Sequence, residues 1–436
     1  MTVPSARLLW IAALAALPAA AIAGLYPALL IPCALFLAVV VLLAVADATA
    51  GRERLAGISL RTPEFIRVTK GVPAKLPLTV ENRTKATVMA RLSATAASAV
   101  TLEYPAEELP LAPGASALDW QCTVSERGDH ASGALYLEGR SPLGLWQVRG
   151  RRENACVIRS YPNMRDRASA ELFYRTAQVG QQRRRQIGKG REFEHLRQYM
   201  PGDSFEDVNW KATARRGIPV VKQYQVEHAQ EVYAIVDSSR LSMREGAPGS
   251  TILESYVDAA LHLALVAQKS GDRFGLITFS GRTHHFLRAR NGMGHFRAVR
   301  ETIYNLRGER VNPDFRDVFT TLQINLRRRS LLVFFTSLDD ALLAEMFERD
   351  APLIARRHVV LVNCARTGDL RPLFETEPAA LDDLYAGLAG QMLWNRMRKL
   401  TIALQNIGVR LALVDAANIK SQVTAQYAEI KRRQIL

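Results

Sequence analysis

The chain has 436 residues, which at the usual domain size allows two or three domains. Its 57 basic and 42 acidic side chains give a net charge of +15, and 48% of its residues are hydrophobic, so wholesale disorder and a collagen-like fibre are excluded. Four cysteines, at positions 33, 122, 156 and 364, are too few and too scattered for a disulfide framework or a zinc site.

The N-terminal segment carries no charged residue and no histidine between Arg7 and Asp47. A helix needs about 20 apolar residues to cross a bilayer. The run therefore predicts a transmembrane helical hairpin within residues 1–50, with helices over 8–23 and 28–46.

The first apolar segment also has an alternative interpretation as a cleaved signal peptide, with Arg7 as its basic region and Ala21-Ile-Ala23 as its cleavage site. In the hairpin, Arg7 on one side and Arg52 and Arg54 on the other place both ends in the cytoplasm by the positive-inside rule. Both interpretations leave residues 47–436 facing the cytoplasm. We expect a multi-pass protein of a bacterial inner membrane.

Residues 51–160 have a strand-like pattern, in which short apolar or alternating segments are separated by Pro, Gly, Asn and Ser. The clearest segments are 75–80, 88–92, 118–124 and 134–138. Regular strand spacing without a long helical period predicts a β-sandwich of immunoglobulin-like type.

Residues 161–230 form a basic connector in which glycine, aromatic and charged residues mix without a helical period. From residue 231 to 436, near-continuous apolar strands alternate with helical patterns, which predicts a doubly wound α/β domain. The expected strands are 232–237, 274–279, 331–335, 358–362 and 409–414, and the expected helices include 251–269 and the basic 419–433.

Two strings in the connector resemble the domain-of-unknown-function 58 family. They are Gly190-Arg-Glu-Phe-Glu-His-Leu-Arg-Gln-Tyr-Met-Pro-Gly-Asp203 and Asn209-Trp-Lys-Ala-Thr-Ala-Arg215. Ser141-Pro-Leu-Gly-Leu-Trp146 resembles the same family's upstream region. The resemblance implies a membrane-anchored protein ending in a von Willebrand factor A-like domain, commonly linked with MoxR-type AAA+ ATPases. The signature residues are Glu192, Phe193, Leu196, Arg197, Tyr199, Gly202, Asp203, Asn209, Trp210, Lys211 and Arg215.

These signature residues allow three roles. Arg197, Asp203, Trp210 and Arg215 could form a hydrogen-bonded, charge-assisted clamp that holds the connector against the α/β domain, or they could contact a partner. A catalytic role would use acid/base-capable side chains, which are Glu192, His195, Asp203 and Asp207.

The family resemblance also implies a place for Mg²⁺, because von Willebrand A domains often bind this ion through Asp-x-Ser-x-Ser, a distant Thr and a distant Asp. Asp237 and Ser239 occupy the first two positions here. Leu241 replaces the second serine, with Ser242 one residue late. Thr336-Ser337 stands where the distant Asp is expected, and Thr320 or Thr321 could supply the threonine. A degenerate site would leave Asp237 to order its loop. A shifted loop would allow Asp237, Ser239 and Ser242 to bind Mg²⁺.

Motifs of phosphate loops, hydrolase elbows and HExxH or CxxC metal sites are absent from the sequence. We therefore expect no cofactor and no enzymatic activity, but an interaction module or adaptor, in which Ser337 and Asp339 lie on the partner-binding surface. Its expected partners are the bilayer and a protein, potentially an AAA+ ATPase of MoxR type, rather than nucleic acid. The alternatives are a Mg²⁺-dependent ligand-binding domain and an enzyme that uses the connector carboxylates.

Overall fold

The computed structural model describes residues 1–105, 107–164, 187–201, 203–225, 229–247, 249–366 and 381–433, without the side chains of 187–195, 223–225, 247 and 381–382. The chain divides into two compact units, residues 1–163 and 164–436. Each unit is described by itself.

Two apolar helices begin the first unit, α1 at Ala6–Leu25 and α2 at Leu30–Ala56. Both are long and apolar enough to cross a membrane. Only 6% of each apolar window is buried, whereas the core helix of a soluble protein would be mostly buried. The two predicted helices are confirmed, but α2 continues ten residues beyond its predicted end at residue 46.

The rest of the first unit consists of short strands in three sheets, with strand orders β1-β11-β10-β5-β7, β2-β4-β8-β6 and β3-β12-β9. The strands are β1 Thr2–Pro4, β2 Ile58–Arg61, β3 Phe65–Thr69, β4 Ala74–Asn82, β5 Val88–Ala94, β6 Val100–Glu103, β7 Leu109–Leu111, β8 Gly114–Val124, β9 Gly128–Ala131, β10 Leu135–Arg140, β11 Trp146–Arg152 and β12 Val157–Tyr161. The four clearest predicted strand segments are confirmed.

Alternating side chains of these strands build one apolar core. In β4, Leu76, Leu78 and Val80 point inward and are each 1% exposed, while the residues between them face outward. All three sheets contribute residues to the same core cluster, which includes Trp120 of β8 and Ile158 of β12. Packing of sheets around one core agrees with the predicted layered β unit, and its immunoglobulin-like type stays a prediction.

The connector begins the described part of the second unit with a long antiparallel hairpin. Its strands are β13 at Ile187–Gln198 and β14 at Val220–Gln225, and a short helix, α3 at Trp210–Arg216, lies between them in the chain. The sequence pattern did not predict these strands, because their charged residues and glycines do not alternate with apolar ones.

The main sheet of the second unit has six strands in the order β19-β18-β15-β20-β21-β22. These strands are β15 Glu231–Asp237, β18 Arg273–Phe279, β19 Thr283–Arg290, β20 Leu331–Phe335, β21 Val359–Arg366 and β22 Val409–Asp415, and a small hairpin pairs β16 Glu245–Ala247 with β17 Ser250–Thr251. All neighbours in the main sheet are parallel except the edge pair β18 and β19. This is the doubly wound order, whose direction reverses between β15 and β20.

Helices cover both faces of this sheet. They are α4 Ile252–Lys269, α5 Met293–Ile303, α6 Phe315–Asn325, α7 Ala341–Asp350, α8 Pro352–Ala355, α9 Leu381–Asn406 and α10 Ile419–Arg433. One core cluster contains residues of α4, α5 and α10, and the other contains residues of α6, α7, α8 and α9. The predicted doubly wound α/β domain is confirmed, and its basic terminal helix is α10.

Candidate functional site

The first candidate site lies at the carboxyl ends of β15 and β20, where doubly wound folds bind ligands. Asp237 ends β15, and Thr336 directly follows β20. Because the two strands are parallel neighbours, these residues meet across the position where the strand order reverses.

Asp237 is fully buried, and both of its carboxylate oxygens accept hydrogen bonds. The Ser239 N–H donates to Oδ1 at 2.8 Å, and the Thr336 hydroxyl donates to Oδ2 at 2.6 Å. Burial raises the pKa of Asp237, and the hydrogen bond from Thr336 opposes that shift in part. The carboxylate therefore joins the loop after β15 to the end of β20.

The other side chains considered for Mg²⁺ do not complete an ion site. Leu241 lies in an apolar core cluster, and the Ser242 hydroxyl donates to the Ser239 carbonyl at 2.7 Å. Thr320 is exposed on α6, where its hydroxyl donates to the Arg316 carbonyl. The described residues contain no group of three or more His, Cys, Asp or Glu that could hold a metal ion. Since Mg²⁺ requires several oxygen ligands, the residues present do not fit it.

The two aspartates after β20 are paired with arginines from the loop after β15. Arg244 donates to Asp339 at 2.5 and 3.0 Å, and Arg240 donates to Asp340 at 2.8 Å. Asp340 also caps α7 by accepting from two backbone N–H groups, and these bonds together with Arg240 lower its pKa against the opposing effect of burial. Ion pairs between the chain's own side chains thus cover this edge.

Ser337, which we expected on the partner-binding surface, instead lies below it and is only 2% exposed. Its hydroxyl is 3.3 Å from the hydroxyl of Tyr256, which donates to the Thr336 carbonyl and accepts from the Ala365 N–H. A small pocket beside it is lined by Ser337, Leu338, Asp339, Cys364, Ala365, Met397 and Leu413. Burial raises the pKa of Tyr256 and of Cys364. The phenol and the thiol are therefore neutral at physiological pH.

The second candidate site is the connector that carries the signature. Arg197 donates to both carboxylate oxygens of Asp203, at 2.8 and 2.6 Å, and Asp203 also accepts from the Met200 N–H at 2.9 Å. The bond from Arg197 is the largest cause that lowers the pKa of Asp203. This carboxylate is held in a charge-assisted bidentate pair within the connector, whereas Trp210 and Arg215 of the considered clamp are exposed.

The short helix α3 is fixed at both ends. The Asn209 side chain caps it by accepting from the Ala212 N–H at 3.2 Å. Gly217 ends it with φ of +68°, a conformation that favours glycine. The Thr213 hydroxyl accepts from the Val220 N–H at 3.1 Å, which ties the helix to β14. By contrast, Trp210 is 67% exposed.

The remaining signature residues divide into described and undescribed ones. Leu196 lies on β13 opposite Lys222, the Tyr199 ring is 5.6 Å from the Phe205 ring, and Lys211 and Arg215 are exposed on α3. Gly202 lies outside the described residues, as do the side chains of Glu192, Phe193 and His195.

The structure also contains a polar cluster that the sequence did not predict. The Ser280 hydroxyl donates to Glu309 at 2.6 Å and lies 2.7 Å from His284 Nε2. His284 and His285 contact different partners, since His285 Nδ1 is 2.9 Å from the Thr278 hydroxyl. In a catalytic triad the histidine accepts the serine proton. Here the Ser280 hydroxyl donates its hydrogen bond to Glu309 rather than to His284, so the cluster does not have the geometry of a triad.

Three curated relatives match part of the chain. They are an uncharacterized protein of Mycobacterium bovis and uncharacterized proteins of two Mycobacterium tuberculosis strains, each 28% identical over 176 residues, which is 40% of this chain and 54% of the relative. The chain thus spans about half the length of these relatives.

Similar solved structures include the SpRpn10 VWA domain, with 13% identity and a TM-score of 0.28 over 45% of this chain and 95% of that one. The conserved hypothetical protein BatB from Bacteroides thetaiotaomicron has 12% identity and a TM-score of 0.32 over 47% and 99%. The fold assignment itself follows from the strand order.

The family described as "Protein of unknown function DUF58" matches residues 195–371. This part of the chain is therefore similar to the DUF58 family, in agreement with the resemblance of the signature strings.

Proposed function

We propose that the chain is a non-enzymatic, membrane-anchored adaptor whose von Willebrand factor A-like unit binds another protein. This proposal rests on the side-chain contacts at the carboxyl ends of β15 and β20, where doubly wound folds bind ligands. Asp237, Asp339 and Asp340 all have partners from the chain itself. The edge offers a polar protein surface rather than free carboxylates for catalysis or ion binding.

The anchor supports a two-pass topology. The strand β1 precedes α1 and pairs with β11, while α2 continues into the same unit, where Asp47 accepts from the N–H groups of Leu143 and Leu145. Both ends of the hairpin therefore belong to one folded unit. Cleavage after Ala23 would remove β1 from its sheet, which favours the uncleaved hairpin. With the positive-inside rule, we propose that residues 47–436 face the cytoplasm.

The proposed partner is an AAA+ ATPase of MoxR type, a class that the family resemblance implies. The test places a photo-crosslinking amino acid at Val311, which is 40% exposed and whose carbonyl accepts from the Arg240 N–H at the sheet edge. Crosslinking in native membranes, followed by mass spectrometry, is expected to recover an AAA+ ATPase in an ATP-dependent manner.

The matched control places the same amino acid at Ile324, which is 73% exposed at the end of α6, shortly before β20 begins. Ile324 is therefore near the amino ends of the strands, away from the proposed binding surface at their carboxyl ends, and should not capture the ATPase. Recovery of no AAA+ protein from Val311, with or without ATP, would contradict the proposed partner. Equal capture at both positions would contradict the proposed surface.

A further inference from the structure

We propose that the exposed face of α3, around Trp210, Lys211 and Arg215, is a peripheral contact site for an anionic lipid bilayer. The proposal goes beyond the adaptor function and does not depend on the identity of any protein partner. It uses the membrane anchor, the side-chain exposure of the connector and the charge of this segment.

The orientation of α3 follows from its burial pattern. Successive residues of a helix are rotated by about 100°, so Ala212, Thr213 and Arg216 lie on one side and Trp210, Lys211, Ala214 and Arg215 on the other. Arg216, the last residue of the helix, is exposed. Ala212 and Thr213 are half-buried, and Thr213 is bonded to β14. The four residues of the opposite side are exposed. Three signature residues, one aromatic and two cationic, therefore face solvent together.

Large apolar side chains are also exposed immediately before and after this helix. Met200 is 64% exposed and Phe205 is 72% exposed in the turns that precede α3, and Ile218, which follows it, is 44% exposed. Exposed apolar residues in such a short segment indicate a contact surface when they cluster. The segment combines them with tryptophan and cations, the residue types that favour a membrane–water interface.

The polar signature residues hold this segment in shape. The pair of Arg197 with Asp203, the Asn209 cap and the Thr213 bond to β14 all act within the hairpin. Since these side chains are used internally, the exposure of Trp210 is a property of a supported helix rather than of a frayed end. We infer that one part of the signature supports the helix and the other part makes the contact.

The charge of the segment favours an anionic surface. Residues 196–222 contain five Lys and Arg and three Asp and Glu, a balance of +2. Glu206 and Asp207 are the carboxylates nearest to α3 in sequence, and they weaken the attraction without reversing it. A basic residue near an anionic leaflet is attracted to the negative surface potential. The two apolar helices hold the chain at a membrane, so even a weak contact is populated because the effective concentration is high.

The experiment uses the full chain, reconstituted into vesicles of phosphatidylcholine with or without phosphatidylglycerol. An environment-sensitive fluorophore is attached at Ile218→Cys in a Cys33→Ser background, because the other three cysteines are at most 2% exposed. We expect a blue shift and quenching by spin-labelled lipid in the anionic vesicles, both reversed by high salt. A fluorophore at Ile324→Cys should show neither change.

Two variants test the chemistry of the contact. Trp210→Ser and the double variant Lys211→Glu/Arg215→Glu should each abolish most of the shift, while Arg398→Glu/Lys399→Glu, the same charge change on exposed positions of α9, should leave it intact. Circular dichroism and the Tm verify that each variant is folded.

The absence of a lipid-dependent shift at Ile218 in a folded chain would overturn the proposal. So would a shift that appears only when a second protein is added, which would assign the face to a protein partner. Because the vesicles contain no other protein, failure here leaves the adaptor proposal intact, and failure of the ATPase crosslink leaves this one intact.

Discussion

At the residue scale, Thr336 determines the role of its neighbour Asp237 at the carboxyl ends of β15 and β20. Thr336 stands where the family resemblance places a second carboxylate, and its hydroxyl donates to Asp237. A second carboxylate would repel Asp237 unless a cation separated them. A donor at this position satisfies the buried carboxylate directly. Asp237 therefore acts as a structural link between β15 and β20.

We predict that Asp237→Asn destabilises the second unit and does not create or remove a response to Mg²⁺. An amide can accept only through one oxygen, so one of the two buried donors loses its partner, at a cost of about 1–3 kcal/mol. Urea unfolding measures this loss, and thermal unfolding with millimolar Mg²⁺ tests the ion. Asp415→Asn is the matched control, because its side chain is 62% exposed. A Mg²⁺-dependent rise in Tm that Asp237→Asn abolishes would establish the rival metal site.

We predict that Asp203→Asn loosens the signature hairpin while the main sheet keeps its stability. The substitution removes the carboxylate that accepts from Arg197 and from the Met200 N–H. Amide hydrogen exchange should accelerate at Met200 and along α3, but not in β15 or β20. Glu429→Gln is the control, since it breaks an exposed ion pair with Arg433 on α10. Unchanged exchange at Met200 would show that the pair does not support the hairpin.

At the element scale, the largest departure from the sequence prediction is the length of α2. The sequence predicts that this helix ends at residue 46, just before the first charged residue, but Asp47 is buried and accepts from the Ser141 hydroxyl and two backbone N–H groups of the loop before β11. Trp146 donates from Nε1 to the Ala44 carbonyl at 2.8 Å. The Ser-Pro-Leu-Gly-Leu-Trp string thus binds α2 around residues 44–47.

We predict that Asp47→Ala weakens this attachment by about 1–3 kcal/mol, because buried donors at Ser141, Leu143 and Leu145 lose their acceptor. Hydrogen exchange of the full chain in nanodiscs should show faster exchange of the Leu143 and Leu145 amides. Glu53→Gln, an exposed position on the same helix, is the control. Equal protection in Asp47→Ala and the wild type would contradict the attachment.

Five of the six strands of the main sheet were predictable because continuous apolar runs of five to seven residues report burial on both faces, as in Leu331–Phe335. The edge strand β19 was not predicted, because it has no such run. The side-chain contacts within the candidate sites were not predictable from the sequence. Asp237 and Thr336 are 99 positions apart, and Ser280 and Glu309 are 29 apart, so pairing depends on tertiary structure that no local pattern encodes. Arg197 and Asp203 could be considered together because both residues belong to one short string, but their pairing within the hairpin, without Trp210 and Arg215, was not predicted.

A histidine at the start of β21 makes the second unit sensitive to acid. His358 is buried, its Nδ1 accepts from the Ser330 N–H, and burial with repulsion from Arg357 and Arg329 lowers its pKa to about 4. The unfolded chain binds the proton near pH 6.5. Between these values the unfolded state holds more protons, so stability decreases as the pH falls from about 6.5 to about 4.

We predict that His358→Asn reduces this acid sensitivity, because the Asn oxygen can accept from Ser330 without titrating. Between pH 6.5 and 4, this histidine lowers the free energy of unfolding by at most ~3 kcal/mol, and the substitution should remove that loss. Urea unfolding at several pH values measures it. His262, whose pKa is also lowered by burial, retains its own contribution in both proteins. Parallel pH profiles of variant and wild type would contradict the assignment to His358.

At the scale of the whole molecule, strand pairing in the first unit connects the segments on either side of the helical hairpin. Residues before α1 and after α2 share one sheet, in which β1 pairs with β11 and β11 pairs with β10. Strand pairing across a bilayer is impossible, so this sheet supports the proposed topology, in which both flanks lie on the same side of the membrane. Two spanning helices satisfy this condition, whereas a single span does not.

We predict that the turn near Tyr26 lies on the opposite side of the membrane from the α/β unit. In a Cys33→Ser background, Tyr26→Cys should react with a membrane-impermeant maleimide in spheroplasts, because Tyr26 is 63% exposed between α1 and α2. Lys399→Cys, on exposed α9, should react only after permeabilisation. Mass spectrometry should recover the intact N-terminal peptide. Labelling of Lys399→Cys in sealed spheroplasts would show the opposite topology. Loss of the peptide that contains β1 would favour cleavage after Ala23.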